Sequence, residues 1–329
     1  MSQSSYEVVQ RALEFQGPDR LPVRFDSLGM SDIAFVNWNQ VYPGDDTGLR
    51  DTSIDHWGCL WVRTEVANMG QIKMHPLAQW SALDLYQWPD PDDPAFYEGM
   101  EEQFTSVEGK YVLIGYFMLL FERMWALRGF DNILVDLLME RERAEMLADR
   151  IVDFALRWIE QISSRFPGQI HGVHFSDDWG TQQALMIRPD LWREFFKPRY
   201  KRMVDAMHQA GWHAWMHSDG KINDIIEDLV EIGVDSVQLQ QPRLVGIEEI
   251  GQRFSGRINL ESVCDIQQTL PFMGAEEIRE EARLLMQHWA APNGGFVLTD
   301  YGGDAIGVAA WKKQVMLEAF LEADPWKQR

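Results

Sequence analysis

The chain has 329 residues, 46% of them hydrophobic, and carries 51 acidic against 30 basic side chains for a formal net charge of -21. That length suits one large α/β domain or two medium ones with a substantial apolar core. The charge disfavours nucleic acid and anionic lipid as partners, and also a polycarboxylate substrate unless local arginines overcome it.

No apolar run reaches the roughly 18 residues of a membrane span. The N-terminal MSQSSYEVVQ lacks a basic region followed by an apolar one, and two cysteines, Cys59 and Cys264, are too few for a disulfide framework. A cytoplasmic location is the expectation. Fourteen Trp and sixteen Met are high counts. They read first as bulky core filler, and second as walls for a flat ligand.

In chain order, SYEVVQRALEFQ reads as a helix ended by Gly17-Pro18, and LPVRFD as the first strand. The stretch to about residue 108 is irregular and rich in Trp, Pro and Asp. Its prolines, as in WPDPDDPAFY, remove donors and block helix. An insertion or lid over about 36–108 is expected. From residue 111 strands and helices alternate cleanly. YVLIGYF, IHGVHFSDD, WHAWMH, SVQLQQ, RINLES and FVLTD read as strands, each followed by a helical pattern. The helix after IHGVHFSDD is expected to bend at Pro198. Six clean units and an early strand predict a single α/β domain over 1–329, a distorted (β/α)8 TIM barrel with one N-terminal unit disguised by the insertion. A doubly wound open sheet is the alternative, but no G-x-G-x-x-G or phosphate loop is present.

In such a barrel the chemistry lies where strands end. The strand ends are Asp26; Asp177 and Asp178; His217 and Asp219; Gln240; Glu261; Asp300 and Tyr301. This acidic ring with one histidine is what a cation site requires, because clustered carboxylates repel unless a cation offsets them or a pKa rises. A strand-end Asp can equally cap the next helix, and Asp178 before Trp179-Gly180 and Asp219 before Gly220 both fit that role. His217 and Asp219 stand at i and i+2, so both point to one side and can reach one ion. The other histidines show no ligand spacing.

At this point the motifs resemble a known family. FQGPDRLPV, FSDDWGTQQALMIRPDLWREFFKPRYKRMVDAMHQAG, MHSDGKINDIIEDLVEIGVDSVQLQQP and CDIQQTLPFMGAEEIREE are similar to blocks of the uroporphyrinogen decarboxylase superfamily, in the same order. The resemblance implies a distorted (β/α)8 barrel. It offers two chemistries: cofactor-free decarboxylation of a tetrapyrrole, or methyl transfer between a corrinoid and another acceptor, usually with zinc. The decarboxylase would need arginines after the first strand, where this chain reads RFDSLGMSDIAF and sets Asp26 against a polyanion. The methyltransferase branch carries zinc on His-x-Cys plus a second Cys. His217 matches the histidine, Asp219 stands where the cysteine would be, and the last loop TDYGGDAI offers Asp300, Tyr301 and Asp304.

Oxygen ligands leave a metal a harder Lewis acid, better suited to an ether oxygen than to a thiol. The resemblance therefore implies an enzyme moving a methyl group between a small methylated, methoxylated compound and a corrinoid supplied by a partner protein. Zinc or another divalent metal would sit on His217, Asp219 and Asp300, with Glu261 as a spare ligand ahead of Cys264, which reads as a buried hydrophobe. Asp177, Asp178 and Tyr301 would be catalytic. Asp26, Gln240, Trp179, Trp38 and Trp61 would bind substrate, and the Trp-rich segment 36–90 would receive the corrinoid protein. A cofactor-free decarboxylase of a tetrapyrrole or smaller acid is the alternative.

Overall fold

The computed structural model describes residues 2–40, 52–63, 70–301 and 307–327. Eight parallel strands form the expected barrel: β1 (Val23–Phe25), β2 (Ile33–Val36), β3 (Tyr111–Tyr116), β4 (Gly172–Ser176), β5 (His213–His217), β6 (Ser236–Leu239), β7 (Asn259–Ser262) and β8 (Phe296–Thr299). Each of β2 to β8 pairs with the next, and β8 pairs with β1. The ring is open between β1 and β2; the sheet ends at β2 on one side and, beyond β1, at Met30–Ser31 on the other. Asp32 bridges that seam. Its N–H donates to the Val23 carbonyl at 2.7 Å, its carboxylate accepts from the Val23 N–H at 3.0 Å, and Arg20 grips it with two contacts of 2.6 Å.

The strand hidden from sequence reading is β2. No helix links it to β1. A 3-10 turn (Asp26–Leu28) and a two-residue strand (Met30–Ser31), antiparallel to β1, fill the first connection instead. The expected irregular insertion is also more ordered than its composition implies. It contains a three-stranded antiparallel sheet of Thr52–Ile54, Leu60–Val62 and Gln71–Met74. Around WPDPDDPAFY the prolines do allow only a single 3-10 turn, Pro94–Phe96, capped by Asp93.

Strand alternation sorts side chains into two compartments. In β5, Ala214 and Met216 face the helices, while Trp215 faces the barrel interior with Ile33, Tyr111, Leu113 and Val297. The helix Ser5–Leu13 closes the bottom of the barrel with Val9 and Leu13. It begins in a capping box in which the Ser4 and Glu7 side chains serve each other's backbone N–H. After β4 the chain makes two helices, Pro189–Phe195 and Lys197–Gln209, broken at Phe196 with Pro198 in the first turn of the second, as expected. Among the described residues no helix is long and apolar enough to cross a membrane.

Candidate metal centre at the barrel mouth

Two strand ends are fastened backbone to backbone. Gly180 follows β4 and Gly220 follows β5. A Cβ on Gly220, whose φ is +82°, would lie 2.2 Å from the Gly180 carbonyl carbon and oxygen, and one on Gly180 would lie 2.4 Å from Gly220. Only a pair of glycines allows that approach. Four hydrogen bonds cross the contact: Gly180 N–H to the Asp219 carbonyl at 3.1 Å, Lys221 N–H to the Thr181 carbonyl at 2.8 Å, Trp179 N–H to Ser218 Oγ at 3.0 Å, and Asp219 N–H to Asp178 Oδ1 at 2.8 Å. The fastening brings Asp178 of one loop to His217 and Asp219 of the other. His217 Nε2 lies 3.6 Å from Asp178 Oδ1 and 3.9 Å from Asp219 Oδ2. One ligand atom from each of the three lies within 4.8 Å of the others.

The far side of the imidazole is fixed by the strand register. His217, Gln238 and Glu261 are lateral neighbours on β5, β6 and β7. Burial pushes the Glu261 carboxyl up, but Arg24, whose Nη2 donates to Oε1 at 2.9 Å, outweighs it and holds the group below its usual range. An ionised carboxylate only accepts. The Gln238 atom 2.7 Å from Glu261 is therefore its amide nitrogen, which turns the Gln238 carbonyl oxygen to His217 Nδ1, also at 2.7 Å. Nδ1 must carry the proton. In the neutral imidazole this turns the lone pair of Nε2 to Asp178 and Asp219, the tautomer a metal ligand needs.

The electrostatics of the cluster are those of a cation site. Burial raises the Asp219 pKa, and Asp178 raises it further, against the pull of His217. Asp219 Oδ1 is buried without a hydrogen-bond partner, a costly state that a bound cation would relieve. Two carboxylates and one neutral imidazole suit zinc or another divalent ion of similar hardness. Beside them stands Glu122, at the start of the helix Phe121–Arg128. Burial first, then Asp178 and Asp177, raise its pKa well above the usual carboxylate range, and it accepts from Ser176 Oγ at 2.8 Å. Sequence reading passes over Glu122, because nothing in the pattern of that helix marks it. Gln238 it could have found, since Gln238 lies two residues before Gln240 on the same strand side.

The structure places several of the expected residues elsewhere. Asp300 pairs with Lys313 at 3.1 Å and is not among the three residues whose ligand atoms cluster, where Asp178 stands with His217 and Asp219. Glu261 stands behind His217, engaged by Arg24 and Gln238, rather than beside the cluster. Asp177 is fully buried and does not reach the mouth as an acid or base. Its carboxylate accepts from the N–H groups of Leu120 and Glu122 and from the Tyr200 hydroxyl at 2.6 Å, and burial nevertheless pushes it up to about 7. Trp179 and Trp38 are core residues, not pocket walls. Trp179 stacks on Phe121 at 4.2 Å, and Trp38 packs on Trp158 at 5.3 Å. Gln240 is buried, Asp26 is exposed on the turn after β1, and Cys264 is a buried thiol whose burial raises its pKa. Tyr301 is half-buried close enough to Asp219 for that carboxylate, after burial, to raise its phenol pKa. Trp61 lines a separate cavity at the end of β3. Asp304 lies outside the described residues.

Comparison with known proteins adds the following. The family model for uroporphyrinogen decarboxylase (URO-D) matches residues 68–300. No curated protein matches the sequence. Among solved structures, a methyltransferase from Methanosarcina mazei aligns over 97% of this chain and 98% of its own, at 14% identity and a TM-score of 0.67. Xylanase 10B from Thermotoga maritima aligns over 96% and 98% at 9% identity and a TM-score of 0.44. A xylose isomerase-like TIM barrel protein from Mycobacterium smegmatis aligns over 78% and 93% at 15% identity and a TM-score of 0.39. At 14% identity, what the likeness to the Methanosarcina mazei protein shows is the fold.

Proposed function

The chain belongs to the uroporphyrinogen decarboxylase family, and from that premise we propose that it is a metal-dependent methyltransferase, moving a methyl group between a small methoxylated compound and a corrinoid carried by a partner protein. The observation that carries this reading is the Asp178–His217–Asp219 cluster, with its histidine held in the ligating tautomer. The structural likeness to the Methanosarcina mazei methyltransferase supports it. Decarboxylation of a polycarboxylate is disfavoured at the same mouth, because Arg24 and Lys313 already face carboxylates of the protein.

Asp178, His217 and Asp219 would hold the metal, and a divalent ion bound there supplies a Lewis acid for the oxygen that loses its methyl group. Glu261 and Gln238 keep the proton on His217 Nδ1 and so keep Nε2 available. Tyr301, whose phenol pKa burial and then Asp219 raise, would donate a hydrogen bond to the departing oxygen. Glu122, its carboxyl pushed well above the usual range by burial and then by Asp178 and Asp177, would limit the negative charge gathered beside Asp178.

The test is elemental analysis of the wild type and His217→Ala after incubation with zinc. It is paired with a spectrophotometric assay for conversion of cob(I)alamin to methylcobalamin by methoxylated aromatics. Stoichiometric metal in the wild type, lost in His217→Ala together with methylation, is the expected result. Two metal-free proteins would overturn the reading and favour the cofactor-free decarboxylase.

A further inference from the structure

A cavity of about 260 Å³ opens at the end of β3, lined by Gln40, Ser53, Asp55, Trp61, Phe117 and two arginines, Arg63 and Arg123. Its volume is below the range of roughly 300–1,000 Å³ that holds drug-sized ligands, so it admits one ring with its substituents and excludes a tetrapyrrole. One side is aromatic. The Trp61 and Phe117 rings lie 5.9 Å apart at 45°, and Trp61 is pinned by its Nε1–H, which donates to Asp55 Oδ2 at 3.0 Å.

The other side is cationic, in a chain whose net charge is -21. Asp55 is saturated: it accepts from the N–H groups of Trp57 and Cys59, from Trp61, and from Arg123 Nη1 at 2.7 Å. Two arginines against one carboxylate leave a positive balance. Arg123 is buried, and its Nε–H has no partner. Arg63 is exposed at the rim and forms no ion pair with a described residue. Buried guanidinium donors without an acceptor are costly unless an anion completes them.

We infer that this cavity binds the ring and carboxylate of a monocyclic aromatic acid, with the ring on Trp61 and Phe117 and the carboxylate on Arg63 and Arg123. The inference rests on the proposed function for the identity of the reacting group, since it makes the methyl donor a methoxylated aryl carboxylate. The cavity and the metal centre share one helix start in their surroundings. Glu122 faces Ser176 and Asp178, and the next residue, Arg123, lines the cavity.

Calorimetric titration of the full chain with p-methoxybenzoate and with the neutral p-methoxybenzamide tests this. The acid is expected to bind the wild type at least about tenfold more tightly than the amide, and Arg63→Ala is expected to lose about the same factor. Trp61→Leu should weaken both ligands. Absence of acid binding, equal affinity for the amide, or undiminished binding by Arg63→Ala would each overturn the inference. A wild type that binds the acid but holds no metal would leave the cavity standing and remove the proposed function.

Discussion

His217 depends on two residues that never touch a ligand. Gln238 and Glu261 determine which imidazole nitrogen is protonated, so their effect should appear in metal affinity rather than in folding. Gln238→Leu is expected to weaken zinc binding by about 10- to 100-fold, the usual cost of losing a partner behind a ligating histidine. Competition with a chromophoric chelator would measure it, and circular dichroism would confirm an unchanged fold. Asp219→Cys is the complementary change. It replaces a hard oxygen ligand by a thiolate and is expected to tighten zinc while slowing transfer from an oxygen-bound methyl group. A variant with faster methoxy transfer would refute the argument from ligand hardness.

At the scale of elements, the Asp178–His217–Asp219 cluster forms because two loops and one helix start are locked together. The helix Phe121–Arg128 has no side-chain cap of its own. Asp177, from the loop after β4, caps it across the barrel by accepting from Leu120 and Glu122. Asp177→Ala would strand those two donors and the Tyr200 hydroxyl. A loss of about 3 kcal/mol in urea unfolding is expected, at the upper end of the range for a group left unsatisfied. The Gly180–Gly220 contact is the second lock. Gly180→Ala forces the loops apart without φ strain and should destabilise by roughly 2 kcal/mol. Gly220→Ala adds a left-handed backbone and should cost about 1 kcal/mol more. In both variants metal retention should fall with stability, because Asp178 and Asp219 come from opposite sides of the contact.

For the whole molecule, buried histidines set an acid limit. His171 Nδ1 accepts the Val112 N–H at 2.8 Å and cannot be protonated there, and burial, then His213, lowers its pKa to about 4. The unfolded chain takes up that proton near pH 6.5. Between those values the unfolded state binds more protons than the folded one. The contribution of His171 is therefore full above about pH 6.5 and is lost as the pH falls toward 4. Urea midpoints measured at pH 7 and pH 5 should differ less in His171→Gln than in the wild type; an identical difference would remove His171 from the explanation.

The alternation of short apolar runs with helical patterns was enough to place seven of the barrel strands, because strand and helix periods are local properties of the chain. The same locality put His217 and Asp219 on one side of one strand end. It could not show β2, since IAFV is too short and its neighbours too irregular to stand out, nor the sheet hidden among the prolines that follow. Sequence also could not sort carboxylates that look alike. Asp177 and Asp178 are adjacent, yet backbone direction sends one into the core as a helix cap and the other to the mouth. Asp300, expected as a ligand, is taken by Lys313 from the last helix, and Glu261 by Arg24 from the first strand. Which donors meet one ion depends on partners dozens to hundreds of residues away, brought together only by closure of the barrel and by two glycines that let neighbouring loops touch.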